Sequence, residues 1–182
     1  MKIAVSGSHR TGKTTLVEAL AEALPAHTVV EEPYVQLEEE GYEFAHMPSL
    51  DDFEVQLERS LESLEENGDN AIFDRCPADL LAYLVTHEDA DAFDPDEWLP
   101  RVRRAMSRLD LVVFVPIESP DRVRIADSEE AELRLQVDEE LRSILVEDRW
   151  DFGIPVLEVS GNARERVRQV LDQVNGGKKS VK

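Results

Sequence analysis

Residues 7–15 read Gly-Ser-His-Arg-Thr-Gly-Lys-Thr-Thr and satisfy G-x-x-x-x-G-K-[ST] at every fixed position. An apolar run, Ile3-Ala4-Val5, precedes them, and leucines four apart at 16, 20 and 24 follow. A strand that turns directly into a helix N-terminus through such a loop wraps backbone N–H groups around an anion. Gly7 and Gly12 permit the backbone angles and the close approach, and the helix beginning beside Gly12 adds its positive dipole end. Lys13 brings a point charge to the β- and γ-phosphates of a nucleotide, and the Thr14 hydroxyl can coordinate Mg²⁺. Ser8, His9, Arg10, Thr11 and Thr15 complete this nucleotide-binding segment.

The rest of the chain alternates β-branched runs with long amphipathic stretches, which predicts an α/β protein with a parallel sheet. Strands are expected at 3–5, 28–31, 71–73, 111–115 and 155–159. The first helix is expected over 12–24, stopped by Pro25. Ser49 and Asp52 have capping-box spacing before a helix carrying Phe53, Leu57, Leu61 and Leu64, which Asn67-Gly68 ends. Pro77 suits the first turn of a helix to about Thr86, and Asp94 caps another. Leu133, Val137, Leu141, Ile144 and Leu145 mark one long helix over 128–150. Asn162 and Glu165 repeat the capping pattern before the last helix. One domain over 1–175 and a flexible tail over 176–182 follow, with no internal repeat.

Charge restricts the partners. Forty Asp and Glu face twenty Lys and Arg among 182 residues, a formal charge of −20. A nucleic-acid binder needs a basic face, and docking on anionic lipid needs clustered Lys and Arg, so neither partner is expected. No apolar run approaches the roughly 20 residues of a membrane span. The N-terminal residues lack the apolar stretch of a secretory leader. Cys76 is the sole cysteine, too few for an internal disulfide or a cysteine-based zinc site, and His27, His46 and His87 have no ligand spacing. A cytoplasmic setting is the expectation.

Glu31-Glu32-Pro33-Tyr34 stands at the end of the second strand and Asp74-Arg75 at the end of the third. In an open parallel sheet, ligands gather beyond the carboxyl ends of the strands, so both pairs point toward the crevice of the phosphate loop. A carboxylate there can accept a proton from a substrate hydroxyl or hold a water of a Mg²⁺ shell. An arginine there can clamp phosphate or carboxylate with two hydrogen bonds.

With these residues the chain resembles the P-loop nucleoside and nucleotide kinases. Its Glu-Pro pair is similar to that of deoxynucleoside kinases, and its Asp-Arg pair to that of thymidylate-type kinases. Thr11 to Leu16 resemble the start of the small AAA-like ATPase/kinase group that includes nicotinamide riboside kinase domains. The resemblance implies a P-loop NTPase three-layer sandwich, a five-stranded parallel sheet in order 2-3-1-4-5 with helices on both faces. It implies ATP and Mg²⁺ as cofactors, Glu32 as general base, Asp74 beside Thr14 at the metal, and Arg75 on substrate or phosphate. It also implies a lid over about 116–135 whose arginines, here Arg122 and Arg124, stabilise charge on the transferring group. Arg134 is a third arginine offered by the region after the fourth strand, and its place four residues beyond Glu130 is also the spacing of a surface ion pair.

Two functions fit. The first is an ATP- and Mg²⁺-dependent transfer of the γ-phosphoryl group to a small nucleoside- or nucleotide-like acceptor. The second is a regulatory or switch-type ATPase acting on a protein partner, with 36–50 as the partner-binding segment. The absence of an Asn-Lys-x-Asp run after the fourth strand favours ATP over GTP. Arg101, Arg103, Arg104 and Arg108 form a solvated basic face, which is the candidate surface for a homodimer. Trp98, Trp150 and Phe152 read as packing residues, whereas Tyr34 is placed to flank a substrate base.

Overall fold

The computed structural model describes residues 1–121 and 128–177. Five strands, β1 (Lys2–Ser6), β2 (Thr28–Val30), β3 (Ala71–Asp74), β4 (Leu111–Phe114) and β5 (Val156–Glu158), form one parallel sheet in the order β2-β3-β1-β4-β5. This is the order that the resemblance implied. Val5 lies opposite Asp74 and Val113, so the loops leaving β1, β3 and β4 emerge at one edge.

Strand periodicity divides the core between the two faces. Ala4, Phe73, Val112 and Phe114 pack with α3 (Leu50–Glu66), α4 (Pro77–Thr86), α5 (Pro95–Met106) and α6 (Ser128–Leu141). Ile3, Val5, Ile72, Leu111 and Val113 pack with α1 (Lys13–Ala23) and α7 (Ala163–Gly177). Burying each leucine such as Leu57, Leu64 or Leu81 contributes about 1.5–3 kcal/mol. Because β1 and β4 are covered on both sides, they read as unbroken apolar runs.

The helix boundaries follow the capping residues. Ser49 and Asp52 exchange hydrogen bonds at 3.2 and 2.8 Å at the start of α3. Asn162 and Glu165 do the same at 2.9 and 3.1 Å before α7, and Asp94 accepts from the Asp96 amide ahead of α5.

The structure departs from expectation in three places. A seven-residue helix, α2 (Pro33–Glu39), follows β2 directly; with only Pro33 and Leu37 buried, it is too short for periodicity to reveal. The helix expected over 128–150 is α-helical only to Leu141 and continues as a π-helical turn over Arg142–Val146. That wider turn keeps the adjacent Ile144 and Leu145 both buried. A 3₁₀ turn at Ala90–Ala92 precedes α5. No described helix is long and apolar enough to cross a membrane.

Candidate active site

The segment 7–12 forms the turn between β1 and α1, as its sequence requires. A Cβ on Gly7 would meet the Val115 carbonyl oxygen at 2.5 Å, so no larger residue fits there. Gly12 caps α1 in the left-handed region, at φ 87°, where a side chain is strained. The Thr11 hydroxyl and the Lys13 ammonium both donate to the Ser8 carbonyl, at 3.0 and 2.8 Å. The Lys13 side chain is therefore folded back across the inside of the loop. Burial, reinforced by the Arg75 charge, lowers its pKa to about 7.

Two acid–partner pairs stand beside this loop. Thr14 Oγ1 donates to Asp74 Oδ2 at 2.8 Å, while Asp74 Oδ1 is buried with no hydrogen-bond partner. Burial raises the Asp74 pKa, against the lowering effect of the Thr14 bond and the Lys13 charge. A buried carboxylate oxygen left open beside a hydroxyl is an all-oxygen donor set suited to a hard cation such as Mg²⁺. Magnesium takes one or two protein ligands and completes its shell with phosphate and water. No cluster of three acidic, His or Cys side chains able to cage a metal occurs among the described residues.

The second pair joins the ends of β2 and β3. Arg75 Nε donates to Glu32 Oε2 at 2.7 Å, and its guanidinium also reaches the Gly7 carbonyl at 3.4 Å. Arg75 holds a left-handed backbone, φ 78°, a costly conformation that concentrates at functional sites. Its guanidinium lies 5.5 Å from the centre of the Tyr83 ring. Tyr83 in turn stacks on Phe53 at 5.2 Å and pairs with His9 Nδ1 at 3.2 Å. Glu32 N-caps α2 and remains partly exposed. Tyr34 is occupied locally, stacked on Phe44 at 4.3 Å and bonded to Glu38 at 2.9 Å.

On the other side of the loop, an open cleft of about 340 Å³ lies between the loop, residues 116–121 and the β5–α7 turn. Thr11, Thr15, Pro116, Asp121, Arg134 and Asn162 are among the residues that line it.

Arg134 departs from the surface ion-pair reading. It is not a surface partner of Glu130: it is 3% exposed, and its Nε donates to the His9 carbonyl at 2.9 Å. Its guanidinium bonds to Asp121. Glu130 is instead the partner of Arg10, at 2.9 Å. Arg122 and Arg124 lie outside the described residues. Arg101, Arg103, Arg104 and Arg108 are exposed, as expected.

Three further residues at the loop escaped sequence reading. Asp79 is fully buried and accepts from the Gly7 and Cys76 amides, both at 3.0 Å. Its spacing from Cys76, N-cap to third helical residue, is the signal that could have found it. Arg166 donates to the Thr11 carbonyl at 2.8 Å and to Glu118 at 3.0 Å, but in sequence it is one of several arginines on an amphipathic helix. Asp138 accepts from the Ile117 amide at 3.0 Å and lies 3.5 Å from the Ser8 hydroxyl.

The site thus gathers Lys13, Arg75, Arg134 and Arg166 in a chain whose formal charge is −20. Acids face each of them: Asp79 and Asp74 near Lys13, Glu32 on Arg75, Asp121 on Arg134 and Glu118 on Arg166.

The fold and this loop define the class: the chain has the P-loop kinase architecture. A family model described as an AAA domain matches residues 2–166, and the chain belongs to that family. No curated protein sequence matches it. Among solved structures it is similar to deoxyadenosine kinase from M. mycoides with bound dATP, at TM-score 0.67 and 17% identity, covering 96% of this chain and 100% of that one. It is similar to shikimate kinase from Aquifex aeolicus, at TM-score 0.62 and 18% identity over 99% of both chains. It is also similar to NadR protein in complex with NR, at TM-score 0.67 and 21% identity, covering 96% of this chain and 48% of that one. Such likenesses define the fold. The acceptors differ among these proteins, so the chemistry must be argued from the site.

Proposed function

We propose that this protein is an ATP- and Mg²⁺-dependent phosphotransferase that moves the γ-phosphoryl group to a small nucleoside- or nucleotide-like acceptor. The observation that carries the reading is the Glu32–Arg75 pair, held 2.7 Å apart at the mouth of the phosphate loop. A carboxylate and a guanidinium fixed together beside the phosphates supply the proton acceptor and the positive group that an acceptor hydroxyl needs.

In this reading the loop amides and Lys13 bind the phosphates, and the cleft beside Thr15 and Asn162 takes the remainder of the nucleotide. Thr14 and Asp74 would hold Mg²⁺, which when bound supplies charge neutralisation. Glu32 accepts the proton of the acceptor hydroxyl as its oxygen bonds to the γ-phosphorus and the bond to the β–γ bridging oxygen breaks, releasing ADP. Arg75 orients Glu32 and offsets charge on the transferring group, as do Arg122 and Arg124 from the segment after β4. Catalysis then comes from positioning and electrostatics more than from covalent chemistry.

The NadR and deoxyadenosine kinase likenesses support nucleoside-like acceptors as the first to test. Mass detection of a phosphorylated product, formed from Mg·ATP and one member of a nucleoside panel, tests the proposal. Phosphate release without a phosphorylated acceptor counts against it.

A further inference from the structure

Three helices reach the phosphate loop from outside with buried charged side chains. Asp79 of α4 accepts from the Gly7 amide, Arg134 of α6 donates to the His9 carbonyl, and Arg166 of α7 donates to the Thr11 carbonyl. The two arginines are 3% and 9% exposed. Each is fixed by an acid from the segment after β4: Asp121 holds Arg134, and Glu118 holds Arg166 at 3.0 Å. Glu118 also accepts from the Gly161 amide, tying the β5–α7 turn into the same assembly.

A loop that turns its N–H groups toward an anion must turn carbonyls away from it, and a buried carbonyl without a partner is costly. In a trans peptide the carbonyl of one residue and the N–H of the next point in opposite directions. A guanidinium on the carbonyls of His9 and Thr11 therefore fixes the planes that carry the N–H groups of Arg10 and Gly12. The motif itself secures only the Ser8 carbonyl, through Thr11 and Lys13.

We infer that Arg134 and Arg166 are positioning residues that set the phosphate loop, holding its outer carbonyls so that its amides meet the phosphates. This rests on the reading of the loop as a nucleotide site. Both arginines are already engaged by acids, so they act through the loop backbone rather than as open charges on the ligand. The competing role is direct contact with the base or ribose, since both line the cleft.

The test compares wild type, Arg166→Met, Arg166→Lys and Arg134→Met. Titrations use Mg·ADP and inorganic pyrophosphate, which touches the loop but has no base. Hydrogen exchange of the 8–13 amides in the free protein accompanies them. Loss of a charged hydrogen bond predicts that Arg166→Met weakens pyrophosphate and ADP by the same factor, about tenfold or more. Exchange of the loop amides should rise while β3 amides stay protected. Arg166→Lys should recover most of the loss, and Arg134→Met should repeat the pattern. ADP weakened with pyrophosphate unchanged would assign the arginines to the base and overturn the inference. Unchanged exchange and affinity would overturn it equally. Should the wild type bind neither probe, the nucleotide reading falls, and the exchange contrast alone decides the clamp.

Discussion

Arg75 Nε and Glu32 Oε2 stand 2.7 Å apart, joining the end of β3 to the first residue before α2. Neither residue is near the other in sequence, and each leaves its own strand at the edge where the phosphate loop lies. Substituting Glu32 by Gln retains an oxygen to accept from Arg75 but removes the proton acceptor. Transfer should fall by about 10²–10⁴-fold, with the ATP dissociation constant unchanged. Equal rates in a single-turnover assay would remove Glu32 from the chemistry.

Asp74 offers a separation of stability from activity. Its Oδ1 is buried without a partner, so the ionised carboxylate costs more folding energy there than a neutral Asn amide would. Asp74→Asn should therefore melt no lower than wild type, while transfer falls roughly 10²-fold or more and needs higher Mg²⁺. A lowered melting temperature with an unaltered Mg²⁺ dependence would mean that Asp74 is a structural partner of Thr14 alone.

Lys13 links binding to proton uptake. Burial and the Arg75 charge lower its pKa to about 7, so at pH 8 the free protein holds it largely neutral. Polyphosphate favours the ammonium, and binding at pH 8 should take up on the order of one proton. At pH 6 the group is already charged, and the Lys13-dependent uptake disappears. Calorimetry in buffers of different ionisation enthalpy reads this directly. Lys13→Arg, charged throughout, should show no such uptake; equal uptake in both proteins would place the proton elsewhere.

His9 bears on acid stability. Burial lowers its pKa to about 4, with the Arg134, Arg75 and Lys13 charges acting the same way and Glu130 opposing them. The unfolded chain takes the proton near pH 6.5 and the folded chain only near 4. Stability attributable to this group is thus lost as pH falls through that interval. His9→Asn should show a smaller drop in melting temperature between pH 7 and 4.5. An identical drop would show that His9 is not the group responsible.

How much of this was legible in the sequence depends on whether a residue's role is local. The phosphate loop, the capping boxes at Ser49 and Asn162 and the β4 apolar run are local, and the structure has them where their patterns lie. The places of Glu32, Asp74 and Arg75 beside the phosphate loop were legible because they follow strands whose edge is shared, while their expected roles came from the family resemblance. The burial of Arg134 was not legible: Glu130 four residues earlier gives the spacing of an ordinary helical ion pair, and only the packing of α6 on the loop buries the arginine. Arg166 and Asp79 likewise act across 155 and 72 residues of chain. The α2 helix was too short to carry a period.

The central claim is that an acceptor is phosphorylated. The most direct measurement incubates the protein with Mg·ATP and a panel of nucleosides, nucleoside monophosphates, nicotinamide riboside and shikimate, and follows ADP and products by mass. One acceptor class is expected to gain a single phosphate in step with ADP, with little hydrolysis when no acceptor is present. ATP turnover at the same slow rate with every compound, and no phosphorylated product from a protein that binds ATP, would contradict it.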